Sequence, residues 1–223
     1  MPSAVDISNI ALAHIGAESL VTSISPPDGS AEAGYCATFY PIARRAALEY
    51  WNWSFARTRV QLSEVTNQST IWRYAYALPS SCLTARRVLP LSVIQAASML
   101  IWPQGLSWPY SDYVWMDDLF SERGSSDFEL EGTTLYTNEP DAWLLYTTDV
   151  TDTSKFSPMF VAGVGELLAS YLSGPIIKGR EGATVGAQWR QQAWSTLDKA
   201  CETDANASSE RTDFVPQSIQ VRG

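Results

Sequence analysis

The sequence predicts an α+β protein. Its expected architecture is a bundle of about four helices from the N- and C-terminal parts, an inserted antiparallel β layer and an extended C-terminal tail. Three observations carry this. Apolar residues recur at helical spacing near both ends of the chain. Between them lie short runs that alternate with a period of two and are separated by turn residues. After Asp204 all periodicity stops. The expected units are residues 1–54 and 156–205 as the helical bundle, 55–155 as the inserted β-rich domain with an aromatic loop at 91–126, and 206–223 as the tail.

The first helix is expected from Ser3 to Gly16. Ser3 and Asp6 have the spacing of a capping box, with Asp in place of the usual Glu. Ile7, Ile10, Ala11, His14 and Ile15 line one face, and Gly16 suits a stop. Pro26-Pro27 then forbids helix. The stretch from Asp28 to Val60 organises the rest. Cys36, Tyr40, Ala43, Ala47 and Trp51 form one apolar stripe; Phe39, Ile42, Ala46, Tyr50 and Trp53 form its neighbour. Two adjoining stripes predict a central helix covered on more than one side, with Arg44, Arg45 and Glu49 on what is left. Pro41 removes one backbone donor and predicts a bend or an irregular turn. Phe55 to Val60 reads as extended.

Trp72, Tyr74 and Tyr76 alternate as in a strand, and Cys82 to Leu89 reads as a second one. Ser92 to Ile101 fits a short helix. Beyond it, Trp102, Trp108, Tyr110, Tyr113 and Trp115 interleave with Pro and Gly, which predicts an exposed aromatic-rich insertion. Phe128, Leu130 and Leu135 flank a turn near Gly132. A second turn at 138–141 leads to a strand from Ala142 to Thr148, so the three strands predict an antiparallel meander.

Ser157 is a good N-cap and Pro158 occupies the favoured first position. Phe160, Val164, Leu167, Leu168 and Tyr171 form the buried stripe of that helix. The small Ala162, Gly163, Gly165 and Ala169 would admit a close neighbour. Gly174-Pro175 is expected to end it and IIKGREG to form a loop. A final helix follows from Gly182 to about Asp204, with Val185, Trp189, Ala193, Leu197 and Ala200 in register. In the tail, Phe214, Val215, Ile219 and Val221 are spaced apolar anchors, as in a docking segment.

The formal net charge is −9, which argues against gripping duplex DNA by phosphate neutralisation. An acidic wall could still surround a polyanion and let it slide. Nine Trp and ten Tyr serve either core or interfaces. Three dispersed cysteines, Cys36, Cys82 and Cys201, with no CxxC, argue against a disulfide scaffold or zinc site. No secretory signal and no membrane span are expected.

Candidate chemistry is sparse. His14, the one histidine, reads as a core or interface residue. No GxSxG, phosphate loop or dinucleotide fingerprint occurs, and Cys36 reads as packing. Asp117, Asp118 and Glu122 beside the Trp-rich insertion would suit a sugar-cleaving carboxyl pair, or else form a solvated acidic loop. Asp127, Glu129 and Glu131 face one side of a strand, as a solvated face or an acidic stripe toward a channel. No catalytic residue, cofactor or metal site is expected, which points to an assembly component.

Several segments carry a family resemblance: IALAHIGAESL, FYPIARRAALEYWNWSFARTR, YAYALPSSCLTARRV and FELEGTTLYTNEPDAWLLYTTDVTDTSKFSPMFVAGVGELLASYL. In order and wording they resemble the tail tubular protein A type of head-to-tail adaptor of short-tailed phages, over most of residues 5 to 200. The stretch from Leu91 to Ser126 departs from the family pattern. The resemblance implies a structural virion protein, a ring of about twelve copies joined through its helices. The ring would sit between the portal and the tail nozzle, with genomic DNA passing through without specific binding. Phe214, Val215, Ile219 and Val221 would reach along the portal; Trp102, Trp108, Tyr110, Tyr113 and Trp115 would meet the nozzle or a neighbouring copy. The free chain would be monomeric in the host cytoplasm before assembly. The alternatives are a carbohydrate-binding or lytic tail protein using the Trp-rich loop with Asp117, Asp118 and Glu122, and a small-molecule-binding module.

Overall fold

A computed structural model of the chain describes residues 2–17, 20–91 and 126–207. The helix expected at 92–101 lies outside them. The described chain is mixed α+β. It runs through α1 (Ala4–His14) and α2 (Ala31–Tyr50) into β1 (Arg57–Gln61), β2 (Ser63–Glu64), β3 (Tyr74–Ala77) and β4 (Cys82–Leu89). It continues through β5 (Phe128–Glu131), β6 (Thr134–Thr137), β7 (Trp143–Thr148), α3 (Pro158–Ile177) and α4 (Gly179–Ala207). Short 3₁₀ turns at Ser54–Ala56 and Thr153–Lys155 mark the two crossings between helices and strands.

The helix starts follow the local chemistry of the sequence. The Ser3 hydroxyl accepts from the Asp6 amide while the Asp6 carboxylate accepts from the Ser3 amide at 2.8 Å, completing the capping box. Ser30 caps α2 through the Ala33 amide, and Ser157 caps α3 through the Phe160 amide. Each such cap contributes about 1 kcal/mol. Gly16 ends α1 with a left-handed φ of 70°.

The centre of the bundle is α3, not α2. It packs against α1, α2 and α4, whereas α1 and α2 barely touch each other. Phe160, Val164, Leu167, Leu168 and Leu172 are buried on it, and fully burying each such side chain is worth about 1.5–3 kcal/mol. This helix is also long and apolar enough to cross a membrane, with mean hydropathy 1.4. Here the three neighbouring helices cover it, which accounts for the apolar run. In α2 the first expected stripe is buried at Cys36, Tyr40, Ala43 and Ala47, but Trp51 is exposed. The second expected stripe is divided: Ile42 and Tyr50 are exposed, Phe39 and Ala46 are half-buried against the core, and Trp53 is fully buried. Arg44 is buried as well. The helix also runs unbroken through Pro41.

Pro175 does not end α3. The helix passes through it to Ile177, and Lys178 alone, with φ of 63°, joins α3 to α4. The expected loop is therefore helix, and α4 has 29 residues, about 43 Å at roughly 1.5 Å per residue. Two glycines of α4 let it lie against the α3 backbone. A Cβ at Gly182 would stand 2.7 Å from the Ser173 carbonyl oxygen, and one at Gly186 would stand 2.9 Å from that of Ser170. Gly163 of α3 receives Leu197, whose Cδ2 would be 2.7 Å from an added Cβ.

The strands form two sheets rather than one meander. The three-stranded sheet has the order β1-β7-β4 and the four-stranded sheet β2-β3-β6-β5, with every pair antiparallel. The turns at Gly132 (φ 59°) and Asp141 (φ 49°) fall where expected. After the second turn, however, β7 leaves β6 and inserts between β1 and β4. Its LLY core is the reason: Leu144, Leu145 and Tyr146 are all buried, which a strand at the edge of the other sheet would not achieve. A second apolar cluster, Leu62, Tyr76, Val88, Leu135, Ala142, Leu144 and Tyr146, draws on both sheets.

Substituting Gly182→Val is expected to destabilise the protein by about 2 kcal/mol, because the rigid Ser173 carbonyl cannot yield. Gly34→Ala, which meets open space on α2, is expected to stabilise by about 0.5–1 kcal/mol. Urea unfolding followed by circular dichroism distinguishes the two; equal effects would remove the close α3–α4 approach from the account.

Candidate functional site

The surfaces available for work depend on how the strands are held to the bundle, and arginines do this. Arg44, on the inward side of α2, has a side chain only 6% exposed. It lies 2.8 Å from Asp149 Oδ1 and donates a hydrogen bond from Nη1 to the Val150 carbonyl. Its contact with Oδ1 is charge against charge, since that oxygen accepts no directed hydrogen bond. Arg45, one residue on and 58% exposed, reaches the other carboxylate oxygen at 2.8 Å. A buried guanidinium without this carboxylate would be untenable, so the pair fixes where β7 ends against α2.

Arg86 makes a second stitch. It sits at a β-bulge of β4. Its Nε donates to Thr147 Oγ1 at 3.0 Å, and Nη2 donates to the carbonyls of Glu49 and Trp51, each at 2.9 Å. Those carbonyls belong to the end of α2, where a cation also meets the negative end of the helix dipole. The turn after α2 is then tied to α4. Tyr50 Oη donates to Asp198, and the Ser54 amide donates to Asp204 Oδ2 at 3.0 Å. Beneath this seam, Trp53 is fully buried and packs edge-on to Phe160 at 4.9 Å, with Phe55 and Phe156 around it.

The structure leaves several expected residues undescribed. Phe214, Val215, Ile219 and Val221 lie outside the described residues. So do Trp102, Trp108, Tyr110, Tyr113 and Trp115, and Asp117, Asp118 and Glu122. The stretch that contains the latter two groups leaves the end of β4 and returns beside it, where the Ser126 amide donates to the Val88 carbonyl at 2.9 Å.

His14 is exposed at the last turn of α1, not in the core; its ring packs 4.4 Å from that of Trp189. Cys36 is fully buried, and burial pushes its thiol up to about 11. Cys201 is buried as well, and burial followed by the nearby Asp198 carboxylate pushes its thiol up to about 11. Burial also raises Cys82. At neutral pH all three are thiols rather than thiolate nucleophiles.

Glu129 and Glu131 are exposed on β5, at the edge of the four-stranded sheet, and Glu129 accepts from Trp72 Nε1 at 2.8 Å. Next to this strand is a polar recess lined by Ser126, Asp127, Thr137, Asn138 and Glu139. Its groups already bond one another: Ser126 Oγ donates to Glu139 Oε1 and Thr137 Oγ1 to the Asp127 carbonyl, each at 2.9 Å. Among the described residues no group of three or more His, Cys, Asp or Glu side chains could hold a metal ion. The chain matches no protein-family model and no curated protein sequence.

Sequence reading missed Arg44 and Arg86 as organising residues. A signal existed for Arg44. It follows Ala43 and precedes Ala47 and Leu48, so it stands inside an apolar stripe and not opposite one. Arg44→Ala is expected to cost about 3 kcal/mol, because it leaves the Val150 carbonyl and half of Asp149 unpaired in the interior. Arg45→Ala is expected to cost less than about 1 kcal/mol, since that pair is solvated. Comparable losses for both in denaturant titrations would show that the seam does not depend on the buried guanidinium.

Proposed function

We propose that this chain is a structural virion protein, a ring-forming head-to-tail adaptor that links a capsid portal to the tail nozzle. The observation that carries the reading is a single body with two unlike ends. A four-helix bundle is stitched by Arg44 and Arg86 to a pair of small sheets, so helices and strands face different neighbours without moving against each other. An adaptor between two different machines needs such asymmetry. The resemblance to the tail tubular protein A family, over segments that fall on α1, α2, β3, β4 and the run from β5 to α3, supports the same reading.

In this reading the helical part packs copy against copy, and the strands offer a surface to the nozzle ring. The tail, with Phe214, Val215, Ile219 and Val221, docks along the portal. Genomic DNA passes through the centre without specific binding, and the net charge of −9 keeps the wall from gripping it. The protein resides at the head–tail junction of the virion and in the host cytoplasm during assembly. No chemical transformation is assigned to it. The lytic and carbohydrate-binding reading rests on Asp117, Asp118, Glu122 and the aromatic loop, and no described residue favours it.

Because α4 extends to Ala207, removing residues 208–223 leaves every described helix whole. The truncated chain is expected to keep the circular dichroism spectrum of the parent but to fail to join isolated portal rings in electron micrographs. Full-length protein that ignores portals would overturn the adaptor reading. A truncated chain that joins them normally would overturn only the role of the tail.

A further inference from the structure

Two sheet edges of this chain carry opposite charge. β1 pairs with β7 alone, and β5 pairs with β6 alone. Among the described residues neither strand has a second strand partner. On β1, Arg57, Arg59 and Gln61 are exposed on one face, while Thr58 and Val60 on the other are half-buried. On β5, Glu129 and Glu131 share a face, and Leu130 on the other is 44% exposed, although Phe128 beside it packs against the second apolar cluster. The remaining edges suit pairing less. β2 has two residues, and β4 is bulged and already bridged by Ser126.

We propose that β5 of one copy adds antiparallel to β1 of the next, joining the copies head to tail. The pairing sets Arg57 opposite Glu131, with Thr58 against Leu130 and Val60 against Phe128 on the other face. Cross-strand opposite charges attract and like charges directly opposite repel. The same charges therefore disfavour β1 on β1 and β5 on β5, the two-fold arrangements that would close a dimer. They leave only the heterologous contact, the type from which rings are built. Charged residues on edges ordinarily guard against association. Guarding both edges would call for one sign of charge on both; here the signs are opposite. The Trp72–Glu129 hydrogen bond uses one carboxylate oxygen and leaves the charge in place. The partner is thus a second copy of this chain. The inference rests on the ring reading above and adds a strand contact to the helical packing between copies, so these two edges serve the neighbouring copy rather than the nozzle.

The test uses the full-length chain in sedimentation velocity over a rising concentration series at low salt. Wild-type protein is expected to be monomeric when dilute and to form multimers only toward the top of the series, and these weaken as salt is added. Arg57→Glu alone and Glu131→Arg alone each place like charges opposite, and each is expected to raise the midpoint concentration roughly tenfold. An equimolar mixture of the two variants is expected to return to the wild-type midpoint, because every contact between unlike copies again joins opposite charges. Both substitutions are on exposed residues, and unchanged circular dichroism checks that the variants fold. Multimers that ignore both substitutions, or a mixture that stays as weak as its components, overturn the strand contact and leave the ring reading standing. Wild-type protein that remains monomeric throughout also overturns the strand contact, and portal binding then decides the adaptor reading separately.

Discussion

The buried guanidinium of Arg44 sets the geometry of the whole molecule. A cation removed from water is stable only beside its counterion, so wherever α2 goes, Asp149 and the end of β7 must follow. From β7 the link of residues 149–157, which contains the short turn at Thr153–Lys155, leads directly into α3. One ion pair thereby links the last strand, the central helix and the helix that carries the arginine. Arg86 repeats the logic from the other side of β7, using carbonyls that α2 cannot satisfy within itself.

Around that seam, packing is made close by what is missing. Gly182 and Gly186 present bare backbone to carbonyls of α3, so α3 and α4 form a hairpin joined through a single non-helical residue. The long α4 then stands beside the turn after α2 and binds it through Asp198 and Asp204. The result is a bundle whose four helices and whose attached pair of sheets are held by different forces. Apolar burial and glycine contacts hold the first, and charge-assisted hydrogen bonds hold the junction to the second. Among the described residues, the surfaces left outside include the charged sheet edges and the outward face of α2.

Much of the local structure was legible. Capping chemistry at Ser3 and Ser157, the left-handed stop at Gly16, the turns at Gly132 and Asp141, and the strand from Cys82 to Leu89 all depend on residues adjacent in sequence. Proline misled at the end of α3, where Pro175 lies inside the helix it was expected to stop; α2 likewise continues through Pro41. The local cost of a proline is one lost hydrogen bond, and Pro41 and Pro175 stand in helices held by tertiary contacts that outweigh that loss. The expected partner-binding residues of the tail and the aromatic loop lie outside the described residues. The acidic alternation at Asp127, Glu129 and Glu131 was visible in the sequence, but not the arginine-bearing edge that complements it.

What the sequence determined alone is therefore the inventory: an α+β chain, helices toward both ends, strands between, the caps at Ser3 and Ser157, and the turns at Gly132 and Asp141. These follow from periodicity and from hydrogen bonds that close within about four residues. Tertiary structure decided which helix is central, that Arg44 is inside, and that β7 joins β1 and β4 rather than β6. Each of those is a contact between residues far apart in the chain, such as Arg44 with Asp149. Its free energy depends on whether a distant partner arrives to offset desolvation, and no local pattern encodes that arrival.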